Sequence, residues 1–120
     1  MKCYRDLRVW REGIDVVADI YAITKKFPND ERYALCDQMQ RASVSVQANM
    51  AEGLAPSSCK EFLHFLSISL GSLAELETRP SIANRLSYVT EEKTHKLLDQ
   101  TNLLGKRIRS LQKPLNNKAT

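Results

Sequence analysis

A chain of 120 residues, 42% hydrophobic and 27% charged with a formal net charge of +4, is long enough to bury one core and too short for two independent ones. Four glycines and four prolines are too little punctuation for many short strands, which points to a few long helices. The excess charge is local: residues 1–105 carry 13 basic and 14 acidic side chains, whereas 106–120 carry Lys106, Arg107, Arg109, Lys113 and Lys118 and no acid.

The opening MKCYRDLRVW has no apolar run of signal-peptide length, and no charge-free run reaches the roughly 20 residues that span a bilayer. A cytoplasmic chain that stays off membranes is expected. Cys3, Cys36 and Cys59 are odd in number with no C-x-x-C pair, which fits reduced thiols. Cys59 falls in the first turn of a predicted helix, where thiolates are favoured, although a small residue starting a helix explains it as well.

The first predicted helix covers 7–27, with Asp6 as N-cap and Pro28 as stop. Leu7, Trp10, Ile14, Val17, Tyr21 and Thr24 form one apolar row; Val9, Gly13, Val16, Ile20, Ile23 and Phe27 form another. The two together cover roughly 200° of the circumference, well beyond the stripe of a helix packed on one side. Such a helix needs a second partner surface, so a homo-oligomer is expected.

The second helix is predicted over 30–53, with Asn29 as N-cap, Asp30 and Glu31 facing the dipole, and Gly53 as the C′ residue. Its middle, Ala42 to Ala51, carries no charge. Ser43-Val44-Ser45-Val46 alternates like a strand, but the frame Leu35, Met39, Ala42, Val46, Met50, Gly53 steps by three and four, and the context favours helix. Its small residues admit close neighbours. Ser43 and Ser45 can bond carbonyls one turn back, whereas Gln47 and Asn49 need interhelical acceptors or water. Arg41 is expected to pair with Glu75 or Glu77, making a structural polar core of Arg41, Asn49, Glu75 and Glu77.

The third helix, 58–87, opens on the capping box Ser58-Cys59-Lys60-Glu61 and carries Phe62, Leu66, Leu73, Leu76 and Ala83 on one face. Pro80 predicts a kink near 76–80. The fourth, 91–112, begins near Thr90 with Glu91 and Glu92 in its first turn. It buries Leu97, Thr101, Leu104, Ile108 and Leu111, then stops before Pro114, leaving a basic tail over 113–120. Four helices with short links make an all-α, antiparallel up-and-down four-helix bundle, a single domain over 1–120.

The run FPNDERYALCDQMQRASVSVQANMAEG, followed by KEFLHFLSISLGSLAELET and preceded by LRVW in helix one, resembles the four helix bundle protein family associated with intervening sequences in bacterial large-subunit ribosomal RNA genes. The likeness covers residues 4–112. It implies an up-and-down bundle assembling into a ring, a homopentamer, with a poorly defined biochemical role. A distantly similar group, the accessory proteins of diversity-generating retroelements, forms pentamers that bind a reverse transcriptase and nucleic acid. The chain departs from the family pattern at Gln47, where proline is common, at Leu54-Ala55-Pro56, which lacks a basic residue after the glycine, and at Arg79-Pro80. The resemblance brings no catalytic residue and no cofactor.

Two E-x-x-H motifs, Glu61 to His64 and Glu92 to His95, have the spacing that supplies metal ligands from one helix face. Both sit in the first turns of helices that begin at opposite ends of an antiparallel bundle, roughly 30 Å apart, too far for one di-metal site. The serines lack a histidine and carboxylate at a recognisable spacing, and no Gly-rich loop cradles a phosphate. No catalytic residue, metal ligand or small-molecule substrate is therefore assigned. Binding remains. Lys106, Arg107, Arg109 and Lys113 would form a basic collar in a ring and attract RNA or DNA, or an enzyme acting on them. Against this stands a solvated tail that aids solubility, since no aromatics are interleaved for base stacking, or an oligomer that is purely structural.

Overall fold

The computed structural model describes residues 7–54 and 58–119. Asp6 and Cys3 lie outside the described residues, as do Ala55 and Pro56 of the linking segment. Helix α1 spans Leu7–Thr24, and of its two apolar rows one is covered along its length while the other is covered only in part, at Trp10 and Thr24. Val9, Gly13, Val16, Ile20 and, past the helix end, Phe27 are buried, while Ile14 is 39% and Tyr21 46% exposed. The helix ends short of Phe27 because its last turn tightens into i→i−3 bonds: the Lys26 N–H donates to the Ile23 carbonyl (3.2 Å) and the Phe27 N–H to the Thr24 carbonyl (3.0 Å). Buried Thr24 ties this end down. Its hydroxyl donates to the Ile20 carbonyl at 2.8 Å and accepts from Gln40 Nε2 at 3.0 Å.

A short 3-10 helix, Asn29–Glu31, precedes α2, Leu35–Leu54. The second α-helix thus starts later than Asn29, and Asn29 is no α-helical cap. The cause is packing. Asn29 to Ala34 place no residue in the core, and Tyr33 is 86% exposed, so burial first rewards helical geometry at Leu35 and Cys36. Gly53 also plays a different part from the one its position suggests. It lies inside α2 without a positive φ, and a Cβ there would stand 2.6 Å from Phe62 Cδ1. The close approach of the next helix requires this glycine, not chain reversal.

Helix α3, Cys59–Arg85, begins with the full capping box: Ser58 Oγ accepts from the Glu61 N–H while the Glu61 side chain accepts from the Ser58 N–H. It runs unbroken through Pro80, whose ring is buried in the core. Its end is a Schellman motif. The Tyr88 N–H donates to the Ala83 carbonyl (2.9 Å) and the Ser87 N–H to the Asn84 carbonyl (2.9 Å), with Ser87 in the left-handed region at φ 65°.

Helix α4, Glu91–Ala119, starts from Thr90, whose Oγ1 accepts from the Lys93 N–H at 3.2 Å. It does not stop before Pro114. Leu115 is 4% exposed and continues the buried row of Leu97, Thr101, Leu104 and Ile108, so core burial outweighs the backbone bond that the proline deletes. The segment expected as a free tail is therefore helical to Ala119.

The four helices enclose one apolar core within 47 × 24 × 20 Å. Of the pairings, α2 with α3 is the most extensive and α1 with α4 the least. Small polar groups join α2 to α3: Ser69 Oγ donates to the Val46 carbonyl (2.8 Å) and the Ser45 and Ser72 hydroxyls share a bond of 2.8 Å. Further along, Arg79 Nε reaches Gln38 Oε1 at 3.2 Å. Between α3 and α4, Thr101 donates to Glu77 (3.1 Å) and Gln112 to Ser67 (3.2 Å). No helix among the described residues is long and apolar enough to cross a membrane.

Candidate functional site

Of the four basic residues expected to act together, three share a strip. Lys106, Arg109 and Lys113 follow one another at i, i+3 and i+7, neighbours along a helix face, and all three are exposed. No acid stands within ion-pair distance of them among the described residues. Arg107 is different. It points toward α1, where its Nε lies 3.3 Å from Glu12 Oε2, with the two side chains 30% and 32% exposed. The Glu12 Oε1 and Arg107 Nε atoms are shut off from solvent without a well-directed hydrogen bond, so the pair is a charge contact and not a bidentate fork. A free binding surface would therefore be built from Lys106, Arg109 and Lys113, with Arg107 engaged inside the chain.

The residues expected as a polar core do not meet. Arg41 is exposed and pairs with Asp37 one turn back (Nε to Oδ2, 3.0 Å), because its α2 position faces water and not α3. Glu75 is likewise exposed, 3.9 Å from Arg79 on its own helix. Asn49 donates to the Ser45 carbonyl (2.9 Å) within α2. Only Glu77 reaches across helices, accepting from Thr101. The buried polar groups that connect helices are small or uncharged, Thr24, Gln47 and Ser69 among them, while charged ties such as Arg79 to Gln38 lie nearer the surface. Sequence reasoning picked out Gln47 as needing a partner, but not its acceptor, the Trp10 carbonyl of α1 at 2.6 Å.

The two E-x-x-H motifs stay apart from a common site. Glu61 is occupied by the α3 cap, and His64 and His95 are both exposed. Among the described residues no three of His, Cys, Asp and Glu gather as metal ligands would. Of the thiols, Cys36 is buried; desolvation foremost, and then the Glu31 charge, hold its pKa above the ordinary range, which makes it a poor nucleophile.

The α1–α4 seam carries features that the sequence did not announce. Two polar ties cross it, Glu12 to Arg107 and Asp19 Oδ2 accepting from Gln100 Nε2 at 2.9 Å. Between and beside them the helices stand apart, leaving one cleft of about 220 Å³ near Asp15 and Leu103 and another of about 300 Å³ toward the α3–α4 link. At the link, the Tyr88 hydroxyl donates to Glu31 (2.8 Å) and its ring packs on Phe27 with centroids 5.4 Å apart.

Comparison with known proteins agrees with this architecture. The chain matches the family described as 23S rRNA-intervening sequence protein over residues 5–110. No curated protein matches it. Among solved structures it is similar to a protein with unknown function from the S23 ribosomal protein family of Bacteroides thetaiotaomicron VPI-5482. The TM-score is 0.80 at 23% identity, covering 88% of this chain and 98% of that one; at that identity the likeness speaks to the fold.

Proposed function

Because the chain belongs to the 23S rRNA-intervening sequence protein family, we propose that it is a cytoplasmic, non-enzymatic scaffold that gathers into a ring-like homo-oligomer, a pentamer, and binds RNA or DNA through Lys106, Arg109 and Lys113. The interhelical ties support an antiparallel, up-and-down order within each subunit, since residue numbers rise on one helix as they fall on its neighbour: Gln38 with Arg79 but Val46 with Ser69, Glu12 with Arg107 but Asp19 with Gln100. The observation that carries the binding reading is the basic strip itself. Three cations without acidic partners, repeated by subunits around a ring, would concentrate positive potential where phosphates can reach it. The half-bare outer row of α1, Ile14 and Tyr21, supports the association. The non-enzymatic reading rests on the scatter of titratable groups among the described residues, where the hydroxyls that meet carboxylates, Ser58 on Glu61 and Thr101 on Glu77, serve a helix cap and a helix contact.

The test is nucleic-acid binding by wild type and by a Lys106→Glu, Arg109→Glu, Lys113→Glu variant over a range of salt. Wild type should bind with an affinity that falls steeply as salt rises, and the variant at least ten-fold more weakly. Equal or absent binding by both leaves a purely structural oligomer. Elemental analysis addresses the enzyme alternative: stoichiometric iron, manganese or zinc in the purified protein would overturn the non-enzymatic reading.

A further inference from the structure

We propose that the larger cleft in the α1–α4 seam binds a small phosphate monoester that carries an apolar body. At about 300 Å³ the cleft falls within the range of small-molecule sites. Two helix faces make its walls. On α1, Asp19, Ala22 and Ile23 recur at helical spacing, with Lys26 in the turn that follows; on α4, Lys93, Lys96, Leu97 and Gln100 do the same, and the α3–α4 link closes the end. The floor is aliphatic, with Leu97 in the buried core and Ile23 and Val89 packed against it.

The rim is cationic. Lys26 comes from the turn after α1 and Lys93 and Lys96 from α4, and no ion pair engages any of them among the described residues. The one lining carboxylate, Asp19, already accepts from Gln100, and the one lining phenol, Tyr88, already donates to Glu31. Counted over the lining residues, three ammonium groups against one carboxylate leave a charge of +2. A phosphate monoester carries about −1.5 to −2 at neutral pH and matches that surplus, whereas a carboxylate leaves half of it uncompensated. Inorganic phosphate meets the charge but leaves the partly buried Ile23 and Val89 facing water. Only a ligand with both halves satisfies floor and rim together.

This cleft is distinct from the basic strip. It lies near the first turns of α4, whereas Lys106, Arg109 and Lys113 follow later on another face, so either idea can fail while the other stands. The experiment titrates the full chain with 1-naphthyl phosphate by calorimetry, alongside its two halves, 1-naphthol and inorganic phosphate. We expect saturable binding of one 1-naphthyl phosphate per chain, at least ten-fold tighter than either half. A Lys93→Gln, Lys96→Gln variant, changed only at exposed positions, should weaken it at least ten-fold. Ala22→Trp, at the exposed wall, should block it, and Lys60→Gln, on the first turn of α3, should leave it unchanged. Circular dichroism confirms that each variant keeps its helices. Three results would overturn the proposal: no saturable binding to wild type, affinity unchanged in the double lysine or Ala22→Trp variant, or inorganic phosphate binding as tightly as the naphthyl ester.

Discussion

Gln47 is buried in α2 with its Nε2 on the Trp10 carbonyl and its Oε1 shut off from any partner. It fits there because residue 13 has no side chain: a Cβ on Gly13 would collide with the Gln47 amide. Gly13→Ala gains about 1 kcal/mol of helix propensity but evicts that amide and its hydrogen bond, so a net loss of about 1–2 kcal/mol is expected. In a Gln47→Ala background the sign should reverse, with Gly13→Ala stabilising by about 0.5–1 kcal/mol. Urea unfolding of the four proteins measures the coupling; the same effect in both backgrounds would mean that the contact does not decide. A second residue-scale effect is set by pH. Glu31 holds the Tyr88 phenol above its ordinary range, chiefly through the hydrogen bond its carboxylate accepts. The unfolded phenol, near pKa 10, gives up its proton first. The stabilisation is therefore whole below that value and is lost as pH rises through the higher folded one. Melting temperature should fall more steeply for wild type than for Tyr88→Phe from about pH 9 to about pH 11; parallel declines would remove the role of this bond. Neither pair was legible in the chain, because Gly13 with Gln47 and Glu31 with Tyr88 become neighbours only when helices cross.

The elements were legible wherever one local rule governed them. The Ser58–Glu61 box forms as its spacing demands, and Val9, Val16 and Ile20 take the inside of α1. Boundaries slipped where a local signal competed with burial. Pro114 reads as a stop, yet Leu115 lies one residue further at the right angle to enter the core, and α4 follows it. Asn29 reads as a cap, yet nothing from Asn29 to Ala34 has a core to enter, and α2 waits for Leu35. The α4 extension makes a specific demand. Leu115→Ala should cost about 2–3 kcal/mol, whereas Leu103→Ala, at a side chain 47% exposed, should cost under about 0.5 kcal/mol. Chemical denaturation compares them, and equal small losses would mean that the last turns of α4 add nothing to the core.

At the scale of the molecule, the basic strip was only half legible. Lys106, Arg109 and Lys113 share a face by helical arithmetic alone, but the withdrawal of Arg107 by Glu12 depends on α1 packing beside α4. The expectation of further copies came from the two rows of α1, of which the chain leaves Ile14 and Tyr21 half-exposed. An Ile14→Glu, Tyr21→Glu variant, changed at half-exposed sites, should keep its helicity and light-scatter as a smaller particle than wild type. A particle of unchanged size would mean that this face is not where subunits meet.

The unevenness of the α1–α4 seam also sets the order in which the molecule loosens. Helix α1 is held by its buried row and by the Gln47 and Gln40 contacts on one side and by two polar ties across open clefts on the other, while α2 and α3 grip each other along their length. Its mid-helix amides should trade protium for deuterium sooner than those of α2 and α3. Concentrating the protein should slow that trade in α1 first, because a neighbour seated on Ile14 and Tyr21 would restrain the one helix with the least to lose by leaving.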